Sequence, residues 1–239
     1  MKLTKYIPNL LTLLNLSSGL VALIFVFKQD WTMVGIFVLS GIFFDFFDGL
    51  AARAFKVSSP LGLQLDSLAD MVTSGVVPAF TLSFLIANAL GFSFTDNFSF
   101  DTNHLLALSG LVVALASAYR LAKFNIDERQ TTSFIGLPTP ANALFIVSLA
   151  LIISGNDYPA ISQMLNNPYV LIITGLLSAY LLNAEIPLFS LKFKDFSWAK
   201  NWKKYVIIAL TVILLPIFKI AAVPLIIILY ILISVLFRG

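Results

Sequence analysis

Long runs of apolar residues recur from one end of this chain to the other, and they restrict its possible folds more than any other feature. A helix that crosses a lipid bilayer needs roughly 20 such residues. Only 11% of the 239 residues are charged, whereas an ordinary soluble domain has about 25%. Polar side chains are therefore too few to cover a water-soluble surface, and the sequence predicts an all-α, polytopic membrane protein.

The apolar runs predict about eight transmembrane helices in one membrane domain that covers residues 1–239. We find no internal repeat and no low-complexity tail that would divide the chain. The last two predicted helices are separated by little more than Lys219, so we expect them to form a tight hairpin. The predicted spans cover approximately residues 8–28, 31–54, 61–90, 104–124, 138–154, 168–190, 204–218 and 220–237.

The distribution of positive charge predicts the orientation of these spans. With the N-terminus in the cytoplasm, 13 of the 15 Lys and Arg residues lie on the inner side, and only Lys28 and Lys219 lie outside. Cytoplasmic loops of membrane proteins carry such an excess of Lys and Arg. We therefore expect a multi-pass protein of the cell inner (cytoplasmic) membrane with both termini in the cytoplasm. The inner cations are Lys2, Lys5, Arg53, Lys56, Arg120, Lys123, Arg129, Lys192, Lys194, Lys200, Lys203, Lys204 and Arg238.

The net charge of +3 needs no nucleic-acid partner, because this topology and the anionic headgroups of membrane lipids already explain it. The chain has no cysteine, and His104 is its single histidine, predicted at the outer interface. Any bound metal must therefore be held by oxygen ligands. Oxygen ligands favour Mg²⁺ or Mn²⁺, with Ca²⁺ as a further possible occupant.

Four aspartates, Asp45, Asp48, Asp66 and Asp70, lie beside or within predicted spans. A charged side chain at the bilayer centre costs about 2.5–3.5 kcal/mol, so such acids are usually functional. The first two are three residues apart and the last two are four apart, so each pair lies on one stripe of its helix. A short connection joins the two helices, so we expect antiparallel neighbours whose acids converge near the cytoplasmic surface and hold one or two divalent cations.

Small residues alternate with the acids along these two stripes, at Gly49, Ala52 and Gly62. Small side chains leave room for a flat or bulky ligand, such as a nucleotide base, to approach the backbone. They are equally typical of closely packed membrane helices. In the first span, Asn9, Thr12 and Asn15 can reach such a nucleotide, or they can form hydrogen bonds between helices.

Read as one string, the acidic region is Asp45-x2-Asp48-Gly49-x2-Ala52-Arg53-x8-Gly62-x3-Asp66-x3-Asp70. This string resembles, without a mismatch, the signature of the CDP-alcohol phosphatidyltransferases. The segment Ile7-Pro8-Asn9-Leu10-Leu11-Thr12 also resembles the usual start of that family. Within the family, residues 65–79, 119–125 and 134–141 are most similar to the membrane-embedded bacterial phosphatidylserine synthases. The resemblance covers roughly residues 5–145, which makes residues 1–145 the family-like catalytic core and leaves residues 146–239 as additional transmembrane helices.

The resemblance implies transfer of a phosphatidyl group from CDP-diacylglycerol to a small alcohol, L-serine in the most similar members, with CMP as the second product. It also implies a homodimer. The implied metal ligands are Asp45, Asp48, Asp66 and Asp70, of which Asp70 is also the general base. The implied binding site for the CDP-lipid consists of Gly49, Ala52, Arg53 and Gly62, with Asn9 and Thr12 as further candidates.

Three residues at the inner end of the fourth span, Arg120, Lys123 and Asn125, are candidates for binding the acceptor or a phosphate. Arg129 is a weaker candidate, and each cation can instead be an ordinary inner-side residue. The stretch 136–140 is expected to open span five and to shape the acceptor pocket. Glu185 is expected to pair with nearby lysines or to extend to the interface.

The sequence leaves two alternatives open, one for the acceptor and one for the class of protein. The acceptor can be glycerol 3-phosphate, inositol or choline instead of serine. The acids can also form the ion-coupling site of a transporter, although such sites usually lie near the midplane between related halves of the chain. Here the acids cluster near one predicted face, and the chain has no repeat.

Overall fold

The computed structural model describes residues 6–57, 59–94, 99–127, 134–189 and 197–237, and these residues are almost entirely helical. This confirms the predicted all-α membrane protein. The helices are α1 (Ile7–Phe27), α2 (Trp31–Phe55), α3 (Pro60–Asp70), α4 (Val77–Ala89), α5 (Thr102–Leu108), α6 (Val112–Ile126), α7 (Thr139–Ser154), α8 (Pro159–Leu165), α9 (Pro168–Asn183), α10 (Trp198–Phe218) and α11 (Ala222–Leu236). A π-helical segment, Met71–Val76, joins α3 to α4. Short 3-10 turns, Ser109–Leu111 and Lys219–Ala221, join α5 to α6 and α10 to α11.

Five helical stretches in the described part of the chain are long and apolar enough to cross a membrane, and six if α7 and α8, which meet at a bend of 119°, form one broken span. Helix α9 has 16 residues and is therefore about 24 Å long, which is less than the roughly 30 Å of a hydrocarbon core. The count of eight spans stays a prediction. The five stretches are Ile7–Phe27, Trp31–Phe55, Pro60–Ala89, Thr102–Ile126 and Asn201–Leu236.

The last of these stretches folds back on itself. The rings of Trp202 and Phe237 are 5.2 Å apart, and Lys203 Nζ contacts the Phe237 carbonyl oxygen. A straight helix of 36 residues would separate these ends by about 54 Å. The reversal occurs at Lys219, whose φ of 43° is incompatible with a continuing right-handed helix. Helices α10 and α11 therefore form the hairpin that the sequence predicts.

The π-helical segment lies where the third span packs most tightly against its neighbours. The side chain of Thr73 lies between Gly19 of α1 and Gly41 of α2, and its Oγ1 donates a hydrogen bond of 3.0 Å to the Asn15 carbonyl oxygen. A Cβ atom added to Gly19 would lie 2.4 Å from Thr73 Oγ1, so only glycine fits there. The hydrophobic pattern predicts an uninterrupted helix and does not signal this local change, which begins directly after Asp70.

The predicted end of the sixth span at residue 190 is wrong, because α9 ends at Asn183. Pro187 has no N–H to donate and disfavours helical conformation in the residue before it, so the helix cannot continue through this point. Instead, Pro187–Leu188 (β2) pairs in antiparallel orientation with Phe134–Ile135 (β1). The two strands tie the segment before α7 to the end of α9.

Two groups of buried apolar side chains hold the helices together. The larger is centred on α4, whose Leu82, Phe84 and Leu85 are almost completely buried. The smaller combines Leu137, Leu188, Ile207 and Tyr230 from four separate segments of the second half of the chain.

Polar contacts at the helix ends join residues that are predicted to lie on the same side of the membrane. Residues of predicted outer loops meet one another, since Lys219 Nζ lies 3.1 Å from Asp157 Oδ2. Residues of the predicted inner side also meet, since Lys123 Nζ lies 2.6 Å from Glu185 Oε1. Which end faces the cytoplasm stays a prediction. The inner-side cations Lys2, Lys5, Arg129, Lys192, Lys194 and Arg238 lie outside the described residues.

Candidate active site

The four aspartates come from two helices that a tight connection places side by side. Helix α2 ends at Phe55, and the left-handed conformation of the next residue, Lys56 (φ 56°), reverses the chain. Helix α3 begins at Pro60, and the Ser59 hydroxyl caps it by accepting a 3.0 Å hydrogen bond from the Gly62 amide. Helix α1 packs against both α2 and α3 and so fixes their relative position.

This arrangement brings the acidic stripes together, as the sequence predicts. One carboxylate oxygen each from Asp45, Asp48 and Asp66 can be chosen so that all three lie within 4.8 Å of one another. Asp70 lies beside this cluster on the wall of the same cavity. Asp48 is buried, and the other three are partly buried.

The cavity has a volume of about 380 Å³ and opens between α2, α3, α6 and the start of α7. Eight predicted site residues line it, together with three residues of the stretch 136–140 that is expected to shape the acceptor pocket. The lining residues are Ile42, Asp45, Phe46, Asp48, Gly49, Arg53, Asp66, Ser67, Asp70, Arg120, Leu121, Phe124, Asn125, Pro138, Thr139 and Pro140.

Side chains from α1 hold two of the aspartates. Thr12 Oγ1 lies 2.5 Å from Asp48 Oδ2, and Asn15 Nδ2 donates a 3.1 Å hydrogen bond to Asp70 Oδ1. Both α1 side chains are buried. Hydrogen bonding between helices, one of the two interpretations of these residues from sequence, is therefore observed, and its acceptors are the site acids themselves.

Several predicted nucleotide-binding residues are absent from the described cavity wall. The residues that line the cavity do not include Thr12, Ala52 or Gly62. Thr12 instead contacts Asp48, which does line it. Asn9 lies next to Gly62, since a Cβ atom added to that glycine would be 3.3 Å from Asn9 Oδ1. Gly49 is on the wall, and a Cβ atom there would meet only Arg53, at 3.5 Å.

Arg120 is the most buried cation on the wall, with 7% of its surface exposed. Its Nε and Nη2 atoms are buried and have no hydrogen-bond partner among the described residues. Its guanidinium group lies 6.0 Å from the centroid of the Phe124 ring and is near Asp70 and Tyr230. A buried guanidinium edge with two free donors is costly unless an anion binds there.

The other two acceptor candidates have different surroundings. Asn125 lines the cavity, and its amide exchanges hydrogen bonds of 2.9 and 3.2 Å with the Ser67 hydroxyl. Lys123 is absent from the described wall and pairs with Glu185 at 2.6 Å. The predicted pairing of Glu185 with a lysine is therefore confirmed.

Sequence reasoning gave no role to Ser67 or Tyr230. Ser67 follows Asp66 in the sequence. It lines the cavity and accepts a hydrogen bond from the Asn125 amide. Tyr230 is the only polar aromatic residue in the apolar helix α11, and this was the one available signal. The contacts of His104 include Asp101, Ser99 and Phe92 near the start of α5, and its position at the outer interface stays a prediction.

The residues of this site fit a divalent cation. Carboxylate oxygens are the ligands that hard cations prefer. Three carboxylates so close together repel one another unless positive charge or protons lie between them. In addition, Asp66 Oδ1 is buried without a hydrogen-bond partner among the described residues, so a ligand position remains unused.

The family model of the CDP-alcohol phosphatidyltransferases matches residues 5–237. The chain belongs to this family. The match extends well past residue 145 and includes the C-terminal helices of this phosphatidyltransferase.

Curated relatives agree with this assignment. The CDP-diacylglycerol–serine O-phosphatidyltransferase of Bacillus subtilis is 33% identical over 145 residues, which cover 61% of this chain and 75% of that protein. The enzyme of the same name from Methanocaldococcus jannaschii is 33% identical over 171 residues, covering 72% of this chain and 69% of that protein. The archaetidylserine synthase of Methanothermobacter thermautotrophicus is 31% identical over 154 residues, covering 63% and 60% of the two chains.

Proposed function

We propose that this phosphatidyltransferase moves a phosphatidyl group from CDP-diacylglycerol to L-serine, which yields phosphatidylserine and CMP. The observation that carries the proposal is the cavity between α2, α3 and α6, whose wall contains both the carboxylate cluster and the buried Arg120. The names of the relatives support serine as the acceptor.

In this proposal Asp45, Asp48 and Asp66 hold Mg²⁺ or Mn²⁺, and Asp70 is an additional ligand or lies beside the cation. A cation held by these carboxylates would supply the positive charge that neutralises the diphosphate of the CDP-lipid and stabilises CMP as the leaving group. Thr12 orients Asp48 by its hydrogen bond, as residues behind metal ligands commonly do.

The CDP group lies along the α2 side of the cavity. Gly49 has no side chain and leaves the backbone accessible, and the exposed Arg53 next to it can pair with a phosphate. Ala52 and Gly62 continue the same small-residue stripes outside the cavity. Asn9 is close enough to Gly62 to contact a ligand that extends there.

Asp70 acts as the general base. Asn15 holds its Oδ1 atom, so Oδ2 remains to accept the proton of the serine hydroxyl. The hydroxyl oxygen forms a bond with the lipid phosphorus, and the bond from that phosphorus to the CMP oxygen breaks. The proton moves to Asp70, and CMP leaves with the electron pair of the broken bond.

Arg120 binds the anionic group of the acceptor. Its Nε and Nη2 donors lie on the same edge of the guanidinium group, and this edge matches the two oxygens of a carboxylate. Serine has such a carboxylate, and glycerol 3-phosphate has a phosphate that can bind in the same way. Inositol and choline have no anionic group, so this edge disfavours both. Asn125 lies within the same part of the cavity and can contact the acceptor.

The proposal also places the site on the cytoplasmic side of the inner membrane and includes the homodimer that the family resemblance implies. The excess of Lys and Arg at this end of the helices supports the first statement.

The test is CMP release by the purified protein from CDP-diacylglycerol and Mn²⁺ with serine, glycerol 3-phosphate, inositol or choline added singly. We expect release with serine. The Asp70→Asn variant should lower kcat by about 10²- to 10⁴-fold and still bind the CDP-lipid. The control is Asp157→Asn, an acid at the opposite end of the molecule. Ion flux through proteoliposomes without CMP release would instead favour the transporter.

A further inference from the structure

Tyr230 links the last helix of the chain to the strand pair beside the cavity. It is buried, with 8% of its surface exposed, in a helix whose only other polar side chain is Ser234. Its hydroxyl donates a 2.9 Å hydrogen bond to the Phe189 carbonyl oxygen, and the two rings form an edge-to-face pair with centroids 5.0 Å apart. Phe189 directly follows β2, so α11 holds the position of that strand.

The strand pair in turn holds one wall of the cavity. Strand β2 pairs with β1, and the Gly136 amide directly after β1 donates a 2.9 Å hydrogen bond to the Ile186 carbonyl oxygen. The next amide, of Leu137, donates a 2.8 Å hydrogen bond to the Leu181 carbonyl oxygen. The chain then enters residues 138–140, which line the cavity.

This wall packs so closely that it has little freedom to move by itself. Gly136 has a φ of 75°, and a Cβ atom there would lie 2.5 Å from the Leu182 carbonyl oxygen. The side chain of Leu137 is buried with Leu188, Ile207 from α10 and Tyr230 from α11. The α10–α11 hairpin therefore provides the apolar surface on which the wall rests.

Tyr230 also lies near Arg120, the cation assigned to the acceptor. Arg120 and residues 138–140 belong to the same cavity but to different helices. Tyr230 therefore contacts the strand pair that supports residues 138–140 and lies near Arg120.

We infer that the α10–α11 hairpin holds the acceptor side of the active site in position, and that Tyr230 is the positioning residue through which it does so. The inference rests on the proposed function. It assigns the C-terminal helices to acceptor binding, while α1, α2 and α3 bind the metal and the CDP-lipid.

The expected result is a separation of the two Michaelis constants. Tyr230→Phe keeps the ring and removes the hydroxyl, which leaves the Phe189 carbonyl oxygen unpaired. We expect the acceptor KM to rise roughly three- to tenfold, as the loss of one hydrogen bond predicts. The KM for CDP-diacylglycerol and the Mn²⁺ dependence should change by less than about twofold, because α1 to α3 are untouched. The matched control is Tyr180→Phe, whose side chain on α9 is 66% exposed.

A double-mutant cycle tests whether Tyr230 acts through Arg120. If it does, the Tyr230→Phe change should raise the acceptor KM by a smaller factor in the Arg120→Lys variant than in the unchanged protein. Full additivity would overturn that part of the inference. An unchanged acceptor KM in Tyr230→Phe, or an equal rise in both Michaelis constants with a lower melting temperature, would overturn the whole.

The assay uses whichever acceptor the unchanged protein converts, so an error about serine does not affect the comparison. Absence of CMP release from the unchanged protein with every acceptor would refute the proposed function and, with it, this inference. If the unchanged protein releases CMP but Tyr230→Phe leaves the acceptor KM unchanged, only the inference is refuted.

Discussion

The hydrogen bond between Thr12 and Asp48 offers the sharpest test of how the metal site is built. The Thr12 hydroxyl has one proton, which lies between the Asp48 carboxylate at 2.5 Å and the Pro8 carbonyl oxygen at 3.0 Å. The carboxylate is the closer and more strongly charged acceptor. The change Thr12→Val keeps the shape of the side chain, removes the donor and leaves Asp48 buried without that partner.

The expected loss of Mn²⁺ affinity follows from the strength of the hydrogen bond and from the usual effect of residues that orient metal ligands. Hydrogen bonds to charged groups contribute about 1.5–3 kcal/mol, and 1.4 kcal/mol corresponds to a factor of ten in affinity. Substitution of residues that orient metal ligands typically lowers metal affinity by about 10- to 100-fold. Because the two ranges overlap, we expect Thr12→Val to weaken Mn²⁺ binding by about 10- to 100-fold.

The measurement is a Mn²⁺ titration of the purified protein, by direct binding and by CMP release. Saturating Mn²⁺ should restore most of the activity, because the ligands themselves are unchanged. The control is Ser17→Ala on the same helix, where the exposed hydroxyl bonds only to the Leu13 carbonyl oxygen of its own helix. An unchanged Mn²⁺ affinity in Thr12→Val would show that Asp48 is not a metal ligand or needs no support from α1.

Three further outcomes are expected. Gly19→Ala should lower the free energy of unfolding by about 1–3 kcal/mol, because its Cβ atom would lie 2.4 Å from Thr73 Oγ1; thermal unfolding measures this. Lys123→Gln should change stability by less than about 1 kcal/mol, because the ion pair with Glu185 is partly exposed. A cysteine that replaces Lys219 should react with an impermeant thiol reagent only from outside the cell.

Each of these predictions has its own control. Gly35→Ala should be milder than Gly19→Ala, since its Cβ atom would meet the flexible end of Leu151 at 3.3 Å. Arg120→Gln should impair acceptor binding far more than the change at Lys123. A cysteine at Lys56 should be protected from the impermeant reagent in intact cells. Labelling of both positions from the same side would contradict the predicted topology.

The sequence was sufficient to locate the acids, because helical periodicity alone places residues three or four positions apart on one face. It could not decide which oxygens converge. Three carboxylates form the close cluster, and Asp70 lies beside them with its own partner, Asn15. This difference between Asp70 and the other three aspartates depends on where α1 packs. The sequence pattern within residues 45–70 contains no information about the position of α1.

The sequence also predicted the hairpin at Lys219 but placed the end of α9 too late. Hydrophobicity reports whether a segment prefers lipid, and residues 184–190 are apolar enough to resemble a helix end. Whether such a segment stays helical depends on local backbone chemistry, here Pro187, and on a partner strand more than 50 positions earlier in the chain, since Leu188 pairs with Phe134. Long-range pairing of this kind leaves no periodic signal.

Composition, charge distribution and the spacing of the acids were thus enough to determine that the chain is a helical membrane protein with an acidic phosphatidyltransferase signature. Those features act within single helices and at their ends, so they can be read along the chain. Only the tertiary structure placed Thr12 against Asp48, left one edge of Arg120 without a partner among the residues it describes, and brought Tyr230 against Phe189. Such contacts join residues far apart in sequence, and they form only because the helices pack in one particular arrangement.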